Sequence, residues 1–242
     1  MKGRGVRPRG VDTIDRMTLR DQVATVLNQI PIDFGGGCSI SKGTVMADLI
    51  AHNRVKQSID IGIYRGRSFF PQAIGHKTTG GKVYGIDPYT NADAEEHDHL
   101  DSDRINDFIN STDFAAMFDT VDGMRTQFGV ADSSVIVRER SHDAAAHLDG
   151  KFGLIHIDGN HDTAPVVQDV DDYLPLLAPD GFLVMDDISW PSVKPAVDKV
   201  SERLTLIYAR VDSMNDYAVF WNGTNARRKN RLRVRVAQMG EN

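Results

Sequence analysis

The chain has 242 residues, of which 40% are hydrophobic and 26% charged, as expected for one globular domain with short appendages. No apolar run approaches the roughly 18 residues of a membrane span, and the basic start lacks the apolar core of a signal peptide. Without its first ten and last sixteen residues, the body carries 18 basic against 33 acidic side chains, a formal charge of −15. This acidic body argues against the broad basic face that nucleic-acid binding requires.

The two ends of the chain are strongly basic. We expect residues 1–15 to be disordered and residues 223–242 to be a solvated basic tail, on either side of one domain over 16–222. The alternative is contact with an anionic partner, including the acidic body of a second subunit in a homodimer. The single cysteine, Cys38, excludes an internal disulfide, which is typical of a reducing compartment, and we therefore expect a cytoplasmic protein.

Apolar periodicity and turn residues predict alternating helices and strands. The predicted elements are, in chain order, helices over 16–30 and 42–53 (the second capped by Ser41), strand 57–62, helix 67–77, strand 82–87, a partly helical stretch over 90–129, strand 134–138, helix 143–148, strand 152–158, helix 164–177, strand 181–187, helix 193–204 and strands 206–211 and 217–221. This order predicts an α/β fold: a doubly wound, Rossmann-like, mostly parallel sheet with a C-terminal antiparallel hairpin. The acidic, aromatic-bearing residues 90–130 are predicted to form a lid or insert.

Four of the predicted strands end in aspartate, at Asp60, Asp87, Asp158 and the pair Asp186 and Asp187. In open α/β sheets the ligand lies outside the carboxyl ends of the strands, so these acids gather in one crevice. Burying several acids side by side is costly unless hydroxyls, amides or a cation compensate them. The pattern therefore predicts a ligand site that contains a metal.

A glycine-containing loop, Asp60-Ile-Gly62-Ile-Tyr64-Arg-Gly66-Arg-Ser68, follows the first predicted strand. Its glycines permit a sharp turn, and their spacing differs from that of the dinucleotide-binding G-x-G-x-x-G motif. The loop resembles the D/E-x-G-x-x-x-G loop of class I S-adenosylmethionine-dependent methyltransferases. The resemblance implies that S-adenosylmethionine is the cofactor and that Asp87 holds its ribose; the alternative for Asp87 is a turn residue before Pro88. The other cofactor contacts that it implies are Asp60, Gly62, Tyr64, Gly66, Ser68, Ser141 and Asp158.

Two later segments, Ile157–Asp162 and Met185–Asp187, resemble the metal-binding segments of magnesium-dependent O-methyltransferases. The closest resemblance is to the branch that acts on sugar hydroxyls, such as macrolide-glycoside O-methyltransferases, and it covers roughly residues 39–222. It implies that Asp158, Asp186 and Asp187 hold Mg²⁺, a hard cation that takes oxygen ligands. Side chains alternate along a strand, so the last strand must end at the aspartate pair for both to bind. The alternative for these acids is a helix-capping role.

Among the histidines, His161 lies three residues after the first metal aspartate, where the sugar-modifying branch has a histidine and catechol-type enzymes have a lysine. We predict that it is the general base; a plain loop histidine and a metal ligand are the alternatives. His142 is the competing base, although a helix-start role is favoured for it. His156 is predicted to be a packed core histidine. His97 and His99 lie among acids that bind a second cation or, as we favour, form a solvated lid.

The sequence therefore predicts an S-adenosylmethionine-dependent, Mg²⁺-dependent O-methyltransferase. The expected acceptor is a hydroxyl of a sugar in a glycoside, glycolipid or polysaccharide. The alternatives are a catechol-type O-methyltransferase, a hydroxylase-like enzyme on the same scaffold and, least favoured, a protein that binds an anionic partner. Trp190 and the aromatic residues Phe108, Phe114 and Phe118 either shape the acceptor pocket or pack in the core.

Overall fold

The computed structural model describes residues 17–33, 37–98 and 101–241. The strands are β1 Gln57–Ile61, β2 Lys82–Ile86, β3 Ser134–Val137, β4 Phe152–Ile157, β5 Leu177–Asp186, β6 Thr205–Asp212 and β7 Asn215–Trp221. They form one sheet in the order β3-β2-β1-β4-β5-β7-β6. The first five strands are parallel, and β7 runs antiparallel to both β5 and β6. The predicted fold class, including the C-terminal hairpin, is confirmed.

The helices pack on both faces of this sheet. They are α1 Leu19–Leu27, α2 Ile40–Asn53, α3 Phe69–Thr79, α4 Asn91–Ala94, α5 Ser102–Ser111, α6 Phe114–Gln127, α7 Ser141–Ala145, α8 Thr163–Tyr173, α9 Lys194–Ser201 and α10 Ala226–Gly240. Among the described residues, no helix has the length and apolar character needed to cross a membrane.

Side-chain alternation along β4 decides which residues face the site. Ile155 and Ile157 face a core formed with α8 and α9. Leu154 faces the opposite side, in a core formed with α2 and α10. His156 and Asp158 share the side of Leu154, because side chains two apart on a strand point the same way. The carboxyl end of β4 therefore presents polar groups toward α2.

Helix α2 begins two residues earlier than predicted, at Ile40. Ser39, rather than Ser41, is the N-cap, and its hydroxyl accepts a hydrogen bond from Lys42 N at 3.0 Å. The same hydroxyl donates to Asn215 Oδ1 at 2.5 Å, which ties the helix start to the first residue of β7. The cap and the sheet thus hold the first turn of α2 in place.

The stretch predicted as a lid is anchored to the domain through most of its length, where it forms α4, α5 and α6. The last of these helices buries Phe114, Met117 and Val121 in a core shared with α1 and α3. Phe118 packs against Tyr89, with ring centroids 5.5 Å apart. Phe118 was predicted either to shape the acceptor pocket or to pack in the core, and the structure shows that it packs against the core.

The expectation of a solvated tail over 223–242 is wrong for its described part, because most of these residues form α10. Leu232 and Val236, which lie on one helical face, are only 4% and 2% exposed and join the core that includes α2. Arg235 donates two hydrogen bonds to Asp48 of α2, at 2.6 and 2.7 Å. The high density of arginine concealed the apolar spacing of this helix. Residues 1–15, also expected to be disordered, lie outside the described residues.

The packing of α10 predicts unequal effects of two substitutions on the same helix. Leu232→Ala should lower the free energy of unfolding by about 2–5 kcal/mol, because it removes a buried side chain from the core. Val234→Ala, at a position that is 60% exposed, should change it by less than about 0.5 kcal/mol. Urea unfolding measures both values, and equal stability of the two variants would contradict the assignment of α10 to the core.

Candidate active site

A cavity of about 1420 Å³ opens beyond the carboxyl ends of β1, β2 and β4. Its walls are the loop after β1, the loop after β2 with residues 90–98, the start of α7, the loop after β4 and Trp190. The cavity lies at the point where the strand order reverses between β1 and β4, which is the usual ligand site of such sheets. Phe108 and Phe114 contribute apolar surface to it.

The loop after β1 requires glycine at two positions, for a different structural reason at each. Gly62 has φ +80°, and a Cβ there would lie 1.8 Å from the backbone oxygen of Asp158, so a side chain is excluded. Gly66 has φ +87°, and its Cβ would meet the ring of Phe70 at 2.4 Å. The first glycine brings the loop against β4 and lines the cavity, whereas the second makes the turn into α3 and does not line it.

Asp87 follows β2 and lines the cavity. Its carboxylate accepts hydrogen bonds from Tyr64 N and Tyr89 N, both at 2.8 Å. Burial raises the pKa of Asp87 to about 6, although these two backbone donors act in the opposite direction. The carboxylate is thus held by the backbone at the edge of the cavity, where it can accept further hydrogen bonds.

A buried polar group of three residues lies beneath the cavity. Asp60, which is fully buried, accepts a hydrogen bond from Ser68 Oγ at 2.8 Å and contacts His156 Nδ1 at 2.6 Å. Ser68 itself reaches the cavity, whereas Asp60 does not line it. The prediction that His156 is buried in the core is confirmed, but the ring is part of this polar group. Its Nε2 has no hydrogen-bond partner and lies 3.9 Å from Asp158 Oδ2.

The three predicted metal ligands lie close together. Asp186 is the last residue of β5, and Asp187 has φ +49°, a left-handed conformation that ends the strand. The strand therefore ends at the aspartate pair, and the side chains of Asp186 and Asp187 both reach Asp158, from different sides. Asp158 joins two groups of side chains, one with His156 and Asp186 and the other with His161 and Asp187.

Lys42 lies against the inner side of this aspartate cluster. Its side chain is 1% exposed, its Nζ contacts Asp186 Oδ2, and it lies 3.7 Å from Asp158 Oδ2. Burial disfavours the ammonium form, but the two carboxylates outweigh burial and raise the pKa of Lys42. One buried cation of the chain itself, the Lys42 ammonium, therefore offsets part of the negative charge of the aspartate cluster.

The charges in the aspartate cluster remain incompletely compensated. Burial raises the pKa of Asp158, but Lys42 and the nearby histidines outweigh burial and hold it below its usual value. Burial and the neighbouring Asp158 raise the pKa of Asp186 well above its usual value, in spite of Lys42. The carboxylates of Asp158, Asp186 and Asp187 are the oxygen donors that a hard divalent cation such as Mg²⁺ takes, whereas the unpartnered Nε2 of His156 is a nitrogen donor.

His161 lies on the outer side of the same cluster and lines the cavity. Its Nδ1 contacts Glu96 Oε1 at 2.5 Å, and its Nε2 is 2.8 Å from Asp187 Oδ2 and 3.6 Å from Asp158 Oδ1. The Nε2 contact lacks the direction of a hydrogen bond. Burial opposes the charged ring, but the three carboxylates outweigh it and raise the pKa of His161 well above its usual value.

The acidic residues before α5 are more ordered than the solvated lid that we favoured. Asp162 Oδ1 accepts hydrogen bonds from the backbone of His97 and Asp98, both at 2.7 Å. Glu96 is only 6% exposed, and its carboxylate contacts His161. The loop after β4 and the acidic segment therefore form one wall, which holds the ring of His161 against Trp190 at a centroid distance of 4.9 Å. His99 lies outside the described residues.

Ser141 and His142 line the opposite part of the cavity at the start of α7. His142 Nδ1 pairs with Asp172 at 2.8 Å, an acid outside the predicted metal site. Asp169, near Ser141, is only 3% exposed, and burial raises its pKa to about 7. The two candidate bases thus belong to different ion-pair groups.

Comparison with known proteins places the chain in a family. A family model described as a methyltransferase domain matches residues 59–188, more than half of the chain, from within β1 to just beyond the end of β5. The chain belongs to this methyltransferase family, and it is an enzyme of the methyltransferase class. No protein of curated function matches it.

Solved structures show the same fold at low sequence identity. The O-methyltransferase TomG from Streptomyces achromogenes, involved in tomaymycin synthesis and solved with SAM, is 14% identical, with 86% of this chain and 91% of that chain covered and a TM-score of 0.57. An O-methyltransferase from Bacillus cereus in complex with SAH is 14% identical, with 85% and 90% covered and a TM-score of 0.56. The O-methyltransferase NovP is 13% identical, with 88% and 98% covered and a TM-score of 0.65.

Two residues of the site escaped the sequence reasoning. Lys42 is the first residue of the helix predicted over 42–53, and Glu96 is one of the acids around His97. A lysine in the first turn of a helix opposes the helix dipole, and this is a signal in the sequence that it serves another partner. For Glu96 we find no comparable signal, because its partner is 65 residues away.

Proposed function

We propose that the protein is an S-adenosylmethionine-dependent, Mg²⁺-dependent O-methyltransferase that acts on a hydroxyl of a sugar in a glycoside, glycolipid or polysaccharide. The observation that carries the proposal is the position of the aspartate cluster and His161 beside a cavity whose other wall is the glycine loop. Membership of a methyltransferase family supplies the reaction class. TomG and the Bacillus cereus enzyme were solved with SAM and SAH, which supports the choice of cofactor.

The proposed cofactor site follows the walls of the cavity from β1 to α7. The glycine loop and Ser68 receive the methionine half, and Asp87 accepts hydrogen bonds from the two ribose hydroxyls, a pairing that suits a carboxylate. Ser141 lies near the adenine. Asp60 does not line the cavity and would contribute indirectly, by accepting the hydrogen bond that positions the Ser68 hydroxyl.

The proposed metal ligands are Asp158, Asp186 and Asp187. A bound Mg²⁺ would lower the pKa of an acceptor hydroxyl. His161 would accept the hydroxyl proton at Nε2 once the ion engages the carboxylates of Asp158 and Asp187, which otherwise favour the charged ring. Glu96 holds the ring by its Nδ1. S-adenosylmethionine would supply the methyl group to the acceptor oxygen and leave as a neutral thioether, so alignment and electrostatics would be the main contributions of the protein.

Space and chemistry favour a diol-bearing acceptor. The cavity of about 1420 Å³ exceeds the roughly 300–1,000 Å³ of sites for one small molecule, so cofactor and acceptor fit together. Three aspartates leave room on a six-coordinate ion for two neighbouring acceptor oxygens. A catechol meets the same requirement and is the second candidate, favoured by the apolar surface of Phe108 and Phe114.

Methyl transfer from labelled S-adenosylmethionine to matched panels of glycosides and catechols tests the proposed activity. We expect glycoside products, loss of turnover after chelation, and recovery with added Mg²⁺ or Mn²⁺. Catechol turnover without glycoside product would overturn the sugar acceptor alone. Full activity of verified metal-free enzyme would overturn the metal, and absence of any methyl transfer to either panel would contradict the acceptor classes.

Substitution of His161 separates the two candidate bases. His161→Ala should lower kcat by about 10²–10⁴-fold, the range expected when a general base is removed, with little effect on cofactor affinity. His142→Ala is the matched control on the opposite wall, and it should leave kcat within a few-fold of the parent. Steady-state kinetics and calorimetry with S-adenosylhomocysteine supply both readouts. The reverse pattern of kcat effects would assign the base to His142.

Cofactor binding should depend on the ionisation of Asp87. Because burial raises its pKa to about 6, the carboxylate that accepts from the ribose is lost as the pH falls below about 6, and affinity should weaken there. Asp87→Ala should weaken binding at pH 8 by about 1–3 kcal/mol and flatten this pH dependence. Calorimetry with S-adenosylhomocysteine between pH 5 and 8 measures both effects. Parent-like affinity and pH dependence in the variant would reject the ribose role.

A further inference from the structure

Lys42 is a buried cation that the proposed reaction does not use. Its side chain is 1% exposed, although a lysine is one of the residues least often fully buried. It also lies in the first turn of α2, where the helix dipole disfavours a positive charge. Both placements cost free energy, so the reason for Lys42 must be its contact with the aspartate cluster.

The aspartate cluster has two sides, and Asp158 divides them. Its Oδ2 faces Lys42 and its Oδ1 faces His161, at 3.7 and 3.6 Å. Asp186 contacts Lys42 on the inner side, and Asp187 contacts His161 on the outer side, toward the cavity. The acids are thus bracketed by one buried cation and one ring at the cavity.

The position of Lys42 is fixed by its surroundings. Its backbone N–H donates to the Ser39 hydroxyl, which in turn donates to Asn215 of β7. Its Nζ lies 5.9 Å from the centre of the Tyr217 ring, which closes the other side. These contacts place the Lys42 side chain between Tyr217 and the aspartate cluster.

We propose that Lys42 is a resident counter-cation that holds the aspartate cluster together without metal and weakens metal binding by competing for Asp186. The inference rests on the metal site of the proposed function. A protonated amine cannot be a metal ligand, so its charge acts against a divalent cation on the same carboxylates. Lys42 therefore sets the metal affinity of the site and keeps the acids from repelling one another when the metal is absent.

Two measurements on Lys42→Met test this role without any assay of turnover. Calorimetry on metal-free protein should show Mn²⁺ binding at least about tenfold tighter than in the parent, at the lower end of the 10–100-fold range for residues around metal ligands. Thermal unfolding should show a lower Tm without metal and a larger rise in Tm on adding Mn²⁺. Lys42→Arg, which keeps the charge, and Lys82→Met, at an exposed lysine, should remain close to the parent in Mn²⁺ affinity.

A double substitution keeps the test informative if Lys42→Met alone fails to fold. Lys42→Met/Asp186→Asn removes one positive and one negative charge together, so its metal-free Tm should recover toward that of the parent. Failure of that recovery would overturn the counter-cation. Parent and Lys42→Met with equal Mn²⁺ affinity would overturn the competition while leaving the proposed function intact. If neither protein binds Mn²⁺, the metal of the proposed function fails together with the competition, and the recovery of Tm alone decides the counter-cation.

Discussion

The site depends on the close approach of the β1 loop to the end of β4. Gly62 permits this approach because a Cβ at that position would lie 1.8 Å from the backbone oxygen of Asp158. The backbone of Asp158 also donates to Ile61 O at 3.1 Å, so its side chain leaves the sheet from a fixed point. The wall that we assign to the cofactor and the aspartate cluster are therefore parts of one rigid junction, and a shift in either displaces the other.

Around this junction, carboxyl groups outnumber the cations that face them. Lys42 compensates the inner side, and His161 lies between three carboxyl groups on the outer side. Buried like charges are unfavourable for the isolated fold, and such groups concentrate where a protein binds ligands or performs chemistry. The buried group of Asp60, His156 and Ser68 has its own hydrogen bonds, so it supports the floor of the cavity without adding a carboxylate to its surface.

The strands and the mostly parallel sheet were predictable because apolar runs and turn residues are local signals. The predicted bounds of β1 and β4, for example, agree with the structure to within one residue. The gathering of Asp158 and Asp186 also followed from strand ends, which the fold brings together. The contacts of Lys42 with Asp186 and of Glu96 with His161 did not follow, since they join residues 144 and 65 positions apart in the chain. The helix over Ala226–Gly240 was missed for a different reason: its apolar stripe is narrow and flanked by arginines.

The position of β7, the last strand in the chain, has a consequence for folding during synthesis. β7 lies between β5 and β6, pairs Tyr217 with Asp186, and anchors the first turn of α2 through Asn215. Because β7 begins at residue 215, the ribosome synthesises it after all of the proposed site residues. During synthesis Asp186 and the first turn of α2, which carries Lys42, therefore lack these contacts until the C-terminal hairpin docks on β5.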